Sequence, residues 1–167
     1  MNEGKIFEND FKASVPKDVY YLRLHDSAIG FDVSGSKKRN KQRFSLKSPY
    51  DCILCSKGQM YCIELKTTKG SSFSFSGKSP YIKIRQVKEL CKASKAGAIS
   101  FLVLNFRRYG KTYAVKPDVF LNYISTLNKK SVNKSDIESI GILIDERKLK
   151  THTRYNIALL IENTLKA

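Results

Sequence analysis

The feature that most constrains the fold of this chain is a pair of short apolar runs, residues 52–56 and 60–65, interrupted by Lys57-Gly58. A glycine at the second central position suits a tight two-residue hairpin turn, because that position requires a positive φ angle. The two runs are therefore predicted to pair as antiparallel strands. In that register the residue numbers of cross-strand partners add up to 115, so Asp51 lies opposite Glu64.

This pairing would bring charged side chains together in an otherwise apolar hairpin. Directly opposed Cβ atoms are about 5 Å apart, and like charges so placed are destabilising. Lys66 shares a strand face with Glu64, roughly 7 Å further along. The two carboxylates would be stabilised by a divalent cation, and hard oxygen ligands with room for water favour Mg²⁺ or Mn²⁺. Lys66 would then assist the attack of water on a phosphate, which predicts a metal-dependent nuclease.

A Glu-x-Lys pair on a strand can also be a solvated face without any chemistry. The neighbouring residues favour the functional interpretation, because apolar side chains occur on both faces of these strands. They are Ile53, Leu54, Tyr61, Ile63 and Leu65. Such strands are typical of a central sheet that is covered on both sides, where carboxylates seldom serve only to face solvent.

The charge of the chain indicates a polyanionic partner. Lys and Arg number 31 against 15 Asp and Glu, which gives a formal charge of +16. Such a field repels itself and is relieved by phosphates, so nucleic acid is the simplest candidate. A membrane surface is the rival, but it would call for a basic amphipathic helix backed by exposed Leu, Phe or Trp, and Trp is absent. We therefore expect DNA or RNA and no membrane.

A polar stretch at residues 34–47 contains no acidic residue and is predicted to be a mobile basic loop. Its cations are Lys37, Lys38, Arg39, Lys41, Arg43 and Lys47. They directly precede Asp51, which favours a phosphate-binding role over that of a solvated linker.

Residues 1–167 are expected to form one domain, because this length can bury a substantial core. No run of eighteen apolar residues or signal peptide is present, so we expect a cytoplasmic protein of a bacterium or a phage-infected host cell. Cys52 and Cys55 resemble half of a zinc site. Strand residues three apart point to opposite faces, however, so the cysteines are expected to be small buried thiols. His25 and His152 show no ligand spacing.

Periodicity and turn residues predict a chain that mixes helices and strands. The predicted helices are 3–14, 79–96, 117–129 and 154–166, and the predicted strands are 19–24, 52–56, 60–66, 98–106, 111–116 and 142–144. Ser79-Pro80 supplies an N-cap and a first-turn proline for the second helix. The strand at 98–106 should lie parallel to 60–66, since a helix joins them. Residues 67–77 are predicted to be a loop, and 131–153 otherwise shows no clear pattern.

The order helix, three strands, helix, strand, with Asp on the second strand and Glu-x-Lys on the third, resembles the restriction-endonuclease-like PD-(D/E)xK nucleases. The implied fold class is α/β, a mixed β-sheet flanked by helices with an αβββαβ core. Finer motifs are Gly4-Lys5-x-Phe7-Glu8, Ser14-Val15-Pro16, Arg23-Leu24-x-Asp26, Ser48-Pro49-Tyr50-Asp51, Glu64-Leu65-Lys66-Thr67-Thr68-Lys69-Gly70 and Gln86-Val87-Lys88-Glu89-Leu90. Together they resemble the RecU family of Holliday-junction resolvases, in its phage-type branch.

This resemblance implies a homodimeric, Mg²⁺-dependent endonuclease that nicks four-way DNA junctions symmetrically in recombination and repair. Asp51 and Glu64 would be the metal ligands and Lys66 the catalytic lysine, while Glu8 and Gln86 would complete the site. The implied DNA-binding residues are Lys37, Lys38, Arg39, Lys41, Arg43, Lys47, Lys69 and Arg85. The family's stalk, which enters the junction centre, would fall at residues 37–47. Cellular members have Thr two residues before the catalytic Asp, where this chain has Pro49.

Two other functions remain open at this point. The chain could be a PD-(D/E)xK nuclease that acts on other DNA substrates, or a non-catalytic DNA-binding protein of the same fold. Intact Asp51, Glu64 and Lys66 argue against the second, because a decayed site usually loses at least one such residue. Only a comparison of substrates separates a junction resolvase from another nuclease.

Overall fold

The structure is a computed structural model that describes residues 2–30 and 43–165. The helices are α1 (Glu3–Lys12), α2 (Ile84–Lys95), α3 (Pro117–Ser125), α4 (Lys134–Ile140) and α5 (Ile157–Leu165). The strands are β1 (Tyr20–Arg23), β2 (Ser27–Gly30), β3 (Arg43–Leu46), β4 (Cys52–Ser56), β5 (Gln59–Thr68), β6 (Ser72–Ser74), β7 (Ile99–Phe106), β8 (Lys111–Val115), β9 (Ser131–Asn133), β10 (Ile142–Ile144), β11 (Glu146–Lys148) and β12 (Thr153–Tyr155). Within these residues no helix has the length and apolar character needed to cross a membrane.

A mixed sheet of six strands, in the order β1-β4-β5-β7-β8-β10, forms the centre of the described part of the chain. β5 and β7 run parallel, and the other neighbours are antiparallel. α2 makes the connection between the parallel strands, as predicted. The remaining strands form the pairs β2-β3, β6-β9 and β11-β12. This mixed sheet with its flanking helices confirms the predicted α/β class.

Lys57 and Gly58 form the predicted two-residue turn between β4 and β5, with φ angles of 50° and 77°. Both angles are positive, as a type I′ turn requires, and this turn suits the right-handed twist of the flanking strands. The ladder pairs Cys52 with Ile63, so the predicted register is confirmed. Asp51 and Glu64 therefore lie immediately beyond the last pair of the ladder, and the backbone N–H of Asp51 donates to the carbonyl of Ile63 at 3.1 Å.

One face of the central sheet packs against α1 and α5. Phe7 and Phe11 of α1 share a buried cluster with Tyr61 and Ile63 of β5, and Ile161 of α5 belongs to the same cluster. Burial of a large apolar side chain contributes roughly 1.5–3 kcal/mol. These contacts hold α1 against the strand that carries the Glu-x-Lys motif.

The opposite face of the sheet packs against α2 and α3. Val87 and Leu90 of α2 and Phe120 of α3 are buried with Leu102 and Leu104 of β7. Successive residues of β7 contribute to the clusters on both faces, which is typical of a strand covered on both sides. β7 is thus the buried strand that the sequence predicts at 98–106.

Part of this second face stays uncovered near the β1 edge. Tyr20 of β1 pairs with Cys55 of β4, which pairs with Met60 of β5. Tyr20 is 61% exposed, Leu22 42% and Met60 40%. Tyr20, Leu22, Cys55 and Met60 form the β1 apolar patch. Cys55 is exposed there, so the expectation that the cysteines are buried is wrong at this position, because no described helix covers it.

α2 begins at Ile84, later than the Ser79-Pro80 signal predicts. The backbone N–H of Tyr81 donates to the hydroxyl of Ser74 at 3.2 Å, and that of Ile82 donates to its carbonyl at 2.9 Å. Because Ser74 of β6 accepts from both N–H groups, they cannot donate to the Ser79 side chain, as an N-cap there would require. The prediction of an N-cap at Ser79 is wrong for this reason.

Three further segments differ from the sequence prediction. Arg43–Leu46, predicted to belong to the basic loop, forms β3 and pairs with β2. Ser72–Ser74, predicted to be loop, pairs with β9. Thr153–Tyr155, predicted to open the terminal helix, forms β12 instead. Each of these strands depends on pairing with another segment of the chain, which local periodicity does not show. The strand predicted at 142–144 is present as β10.

Candidate active site

Asp51, Glu64 and Lys66 meet at one end of the β4-β5 hairpin. Asp51 immediately precedes β4, and its Oδ2 accepts a hydrogen bond from the backbone N–H of Leu65 at 2.7 Å. The Lys66 ammonium forms an ion pair with Oε1 of Glu64. The hairpin register thus brings two carboxylates and an ammonium together, as the turn predicts.

Glu64 is a buried carboxylate with only one of its two oxygens partnered. It is 1% exposed, and its Oε2 has no hydrogen-bond partner. Burial raises the pKa of Glu64 to about 7, while Lys66 opposes this change and Asp51 adds to it. Burial also raises the pKa of Asp51, again against the attraction of Lys66. Both carboxylates are therefore costly to ionise in the free protein, and a bound cation would relieve that cost.

Glu8 reaches the same site from α1. It forms an ion pair with Arg23 of β1. Burial raises the pKa of Glu8, Arg23 opposes the rise, and the charges of Asp51 and Lys66 also act on it. Glu8, Asp51 and Lys66 line one cavity, so the helix and the hairpin contribute to one site.

Gln86 lies in the first turn of α2, the helix that covers the Glu64 side of the sheet. It is 9% exposed, and its Oε1 has no hydrogen-bond partner. Val87 and Leu90 of the same helix pack with Cys62 of β5, so the start of α2 lies on the face of the sheet that carries Glu64. Gln86, which the family resemblance implies would complete the site, is thus a buried side chain with an unused acceptor.

A cavity of about 680 Å³ opens beside these groups. Glu8, Asp51 and Lys66 line it, together with residues 2–4 at the start of α1 and residues 67–72 after the motif strand. Glu64 and Gln86 do not line the cavity. A cavity of about 760 Å³ between α2 and α3 includes none of the predicted catalytic residues, so we place the candidate site in the smaller one.

Sequence reasoning missed a row of polar side chains that begins next to the catalytic lysine. The Thr67 hydroxyl donates to Oδ1 of Asn105 at 2.8 Å, and Nδ2 of Asn105 donates to Thr112 at 2.8 Å. The Thr112 hydroxyl in turn donates to Glu146 at 2.7 Å. This row ties the end of β5 to β7, β8 and β11. Its only sequence signal is Asn105, a polar residue inside the most apolar strand.

Comparison with known proteins identifies the family. A family model for Recombination protein U matches residues 26–159. The chain belongs to the RecU family. The SPbeta prophage-derived uncharacterized protein YotM of Bacillus subtilis (strain 168) is 31% identical over 180 residues, which span 99% of this chain and 88% of that protein.

A solved structure supports the fold assignment of this RecU-family chain. Hjc of Archaeoglobus fulgidus, a Holliday junction resolvase from an archaeal hyperthermophile, matches with a TM-score of 0.53. The match covers 84% of this chain and 95% of Hjc at 16% sequence identity. At this level of identity the likeness shows a shared fold.

The predicted DNA-binding residues of this RecU-family chain lie at different places. Outside the described residues are Lys37, Lys38, Arg39 and Lys41. Arg43 begins β3, and Lys47 is exposed in the segment before β4. Lys69 lines the cavity, with its ammonium 3.8 Å from Glu3. Arg85 is exposed on α2 and donates to a backbone carbonyl ahead of β4 at 3.4 Å.

The donor atoms at the site fit a hard divalent cation. Asp51 and Glu64 offer oxygen only, and Oε2 of Glu64 is buried without a partner. In the described part of the chain, no group of three or more His, Cys, Asp or Glu side chains could hold an ion. Mg²⁺ needs no such cage, because it keeps several waters and binds through one or two carboxylates and substrate phosphates. This oxygen-only pair therefore fits Mg²⁺ or Mn²⁺ better than zinc.

Proposed function

We propose that this RecU-family protein is a Mg²⁺-dependent endodeoxyribonuclease that resolves Holliday (four-way) junctions by paired symmetric nicks in DNA recombination and repair. The observation that carries the proposal is the meeting of two carboxylates, buried Glu64 and half-buried Asp51, beside the ammonium of Lys66. Membership of the family named Recombination protein U and the likeness to Hjc, a Holliday junction resolvase, support the same substrate. The formal charge of +16 agrees with DNA binding.

Asp51 and Glu64 would hold the ion, with Mn²⁺ as an alternative to Mg²⁺. When bound, the ion would supply Lewis-acid assistance and positive charge to phosphodiester hydrolysis. Without it, the two carboxylates repel the DNA phosphate. The Oε2 of Glu64 is the atom that gains most from an ion, because it is buried and accepts no hydrogen bond, whereas Oε1 is paired with Lys66.

Lys66 is placed to stabilise negative charge on the phosphate that is cut. Its side chain is 19% exposed and lines the cavity, whereas its partner Glu64 is buried. A preorganised ammonium in a partly dry site stabilises a developing charge more strongly than one in water. Glu8 lines the same cavity, and its raised pKa makes it a better proton acceptor than an ordinary carboxylate. Gln86, with its free carbonyl oxygen, would orient groups on the Glu64 side.

DNA would approach the cavity along exposed cations on both sides of the site. Lys69 lines the cavity itself, while Lys47 and Arg85 flank the segment that leads into β4. These residues would contact DNA phosphates. Phosphate contacts do not read the base sequence, so they are compatible with recognition of a junction by its shape. The basic stretch that contains residues 37–41 would add further phosphate contacts.

A homodimer would explain paired nicks, because a symmetric dimer places two identical sites in the same relation to the two-fold axis of a junction. We propose that its interface includes the β1 apolar patch. Tyr20, Leu22 and Met60 of this patch are between 40% and 61% exposed. None of the helices that the structure describes covers them. Burial of such a patch against a second copy removes apolar surface from water.

A cleavage assay with three proteins tests the site. Wild type, Asp51→Asn and Glu64→Gln are incubated with a labelled four-way junction in Mg²⁺ and in EDTA. Wild type should cut only with the metal, and both variants should bind the junction without cutting. Asp118→Asn, which alters a carboxylate in the first turn of α3, is the control that should cut normally. Metal-dependent cutting by either site variant would overturn the assignment, and a wild type that binds without cutting would indicate a non-catalytic protein.

A further inference from the structure

Arg107 belongs to the candidate site, although the sequence motifs do not include it. It follows β7, and its backbone N–H donates to the carbonyl of Thr68 at 3.0 Å. Its side chain lines the cavity that Asp51 and Lys66 also line. The Nε of Arg107 is buried and has no hydrogen-bond partner. The guanidinium is thus held inside the site with donor capacity unused.

The charge partner of Arg107 is exposed and easily replaced. Its guanidinium pairs with Glu3 of α1, whose side chain is 44% exposed against 26% for Arg107. Lys69 approaches the same carboxylate at 3.8 Å. An exposed ion pair between side chains contributes little net stability. An arginine fork matches a phosphate better, because it donates two parallel charge-assisted hydrogen bonds.

We propose that Arg107 binds a DNA phosphate next to the one that is cut, and that Glu3 occupies this position in the free protein. Thr68, whose carbonyl holds the Arg107 backbone, lies two residues beyond Lys66 on β5. That distance is roughly 7 Å along a strand, so Arg107 and Lys66 reach different parts of one DNA backbone. The inference rests on the proposed function, since it takes the cavity to be a DNA site.

A purely structural role for the pair predicts a different outcome. If the ion pair between Glu3 and Arg107 only holds α1 against the sheet, removal of either partner should destabilise the fold. Both changes should then lower DNA affinity. If Glu3 stands in for phosphate, removal of Arg107 weakens DNA binding, whereas removal of the Glu3 charge strengthens it. The sign of the two effects therefore separates the two roles.

The experiment measures junction binding in EDTA, in an Asp51→Asn background, as a function of salt. Arg107→Ala should weaken binding about tenfold and reduce the slope of log K against log salt by close to one. Arg108→Ala is the matched control, because Arg108 is exposed beside Tyr109 and does not line the cavity. Glu3→Gln should tighten binding several-fold, and this gain should shrink markedly when Arg107 is already Ala.

Two results would overturn the inference. One is an Arg107→Ala protein that behaves like Arg108→Ala, and the other is a Glu3→Gln gain that persists in full without Arg107. If Arg107→Ala does not fold, Arg107→Lys combined with Glu3→Gln gives the same comparison, because Lys keeps the charge and loses the fork. Since binding is measured without metal, a wild type that binds junctions but never cuts them refutes the proposed function alone. A wild type that binds no DNA refutes both.

Discussion

The buried carboxylate of Glu64 should make the metal-free protein less stable as pH rises. Its pKa is about 7 in the folded chain, against an ordinary value of 4.5. Below pH 4.5 both folded and unfolded chains hold the proton. Between these two pKa values the unfolded chain releases the proton and the folded chain retains it, so unfolding becomes more favourable. Above the folded pKa the full cost of a buried charge is present.

The size of the effect follows from the two pKa values. At about 1.4 kcal/mol per pKa unit, ionisation of Glu64 costs the folded state on the order of 3 kcal/mol. Glu64→Gln removes the charge and keeps the shape, so this cost disappears at high pH. For a chain of this length 1 kcal/mol corresponds to about 2–4 °C in Tm. Glu64→Gln should therefore melt roughly 6–12 °C above wild type at pH 8 and close to wild type at pH 4.5.

Thermal unfolding in EDTA at several pH values measures this difference. Glu162→Gln, a change at an exposed position of α5, is the control and should follow wild type at every pH. Added Mg²⁺ should stabilise wild type more than Glu64→Gln, because the ion binds the ionised carboxylates. Parallel melting curves for wild type and Glu64→Gln between pH 4.5 and pH 8 would refute the burial argument.

Three further changes test other parts of the proposal. Lys66→Ala should lower single-turnover junction cleavage by at least about 100-fold and change junction affinity only a few-fold; a variant that cuts at the wild-type rate would remove Lys66 from the mechanism. Sedimentation at micromolar protein should give about twice 19.0 kDa for wild type and the monomer mass for Leu22→Asp combined with Met60→Asp, and a dimer that survives both changes would exclude the β1 apolar patch. Neutralising the basic stretch should reduce the slope of log K against log salt by close to one for each DNA phosphate that the variant no longer neutralises, and an unchanged slope would mark it as a linker. The residues replaced there are Lys37, Lys38, Arg39, Lys41 and Arg43.

The parts of the site that lie close together in sequence could be predicted from it. Lys57-Gly58 fixes the turn, the turn fixes the register, and the register brings Asp51 and Glu64 together just beyond the ladder pair of Cys52 and Ile63. The parallel pairing of β5 with β7 was also predictable, because a helix joins two apolar strands.

The parts that depend on distant segments could not be predicted. Ser79-Pro80 is a typical local helix signal. The backbone N–H of Tyr81, however, donates to Ser74 of β6, and β6 is itself paired with β9. The contact between Glu3 and Arg107 joins the first helix to the end of β7, and neither residue stands in a motif. Periodicity describes one element at a time, whereas such contacts arise only when the sheet is assembled.

The most direct test of the proposed function is a map of the nicks made on a synthetic four-way junction, a matched duplex and the single strands, with Mg²⁺ or Mn²⁺. We expect paired nicks at symmetric positions on two opposing strands of the junction, no comparable cutting of the duplex or single strands, and no nicks by Asp51→Asn. A mixed dimer of wild type and Asp51→Asn should nick one strand only. Equal cutting of duplex and junction would contradict a junction resolvase and indicate a nuclease with another DNA substrate.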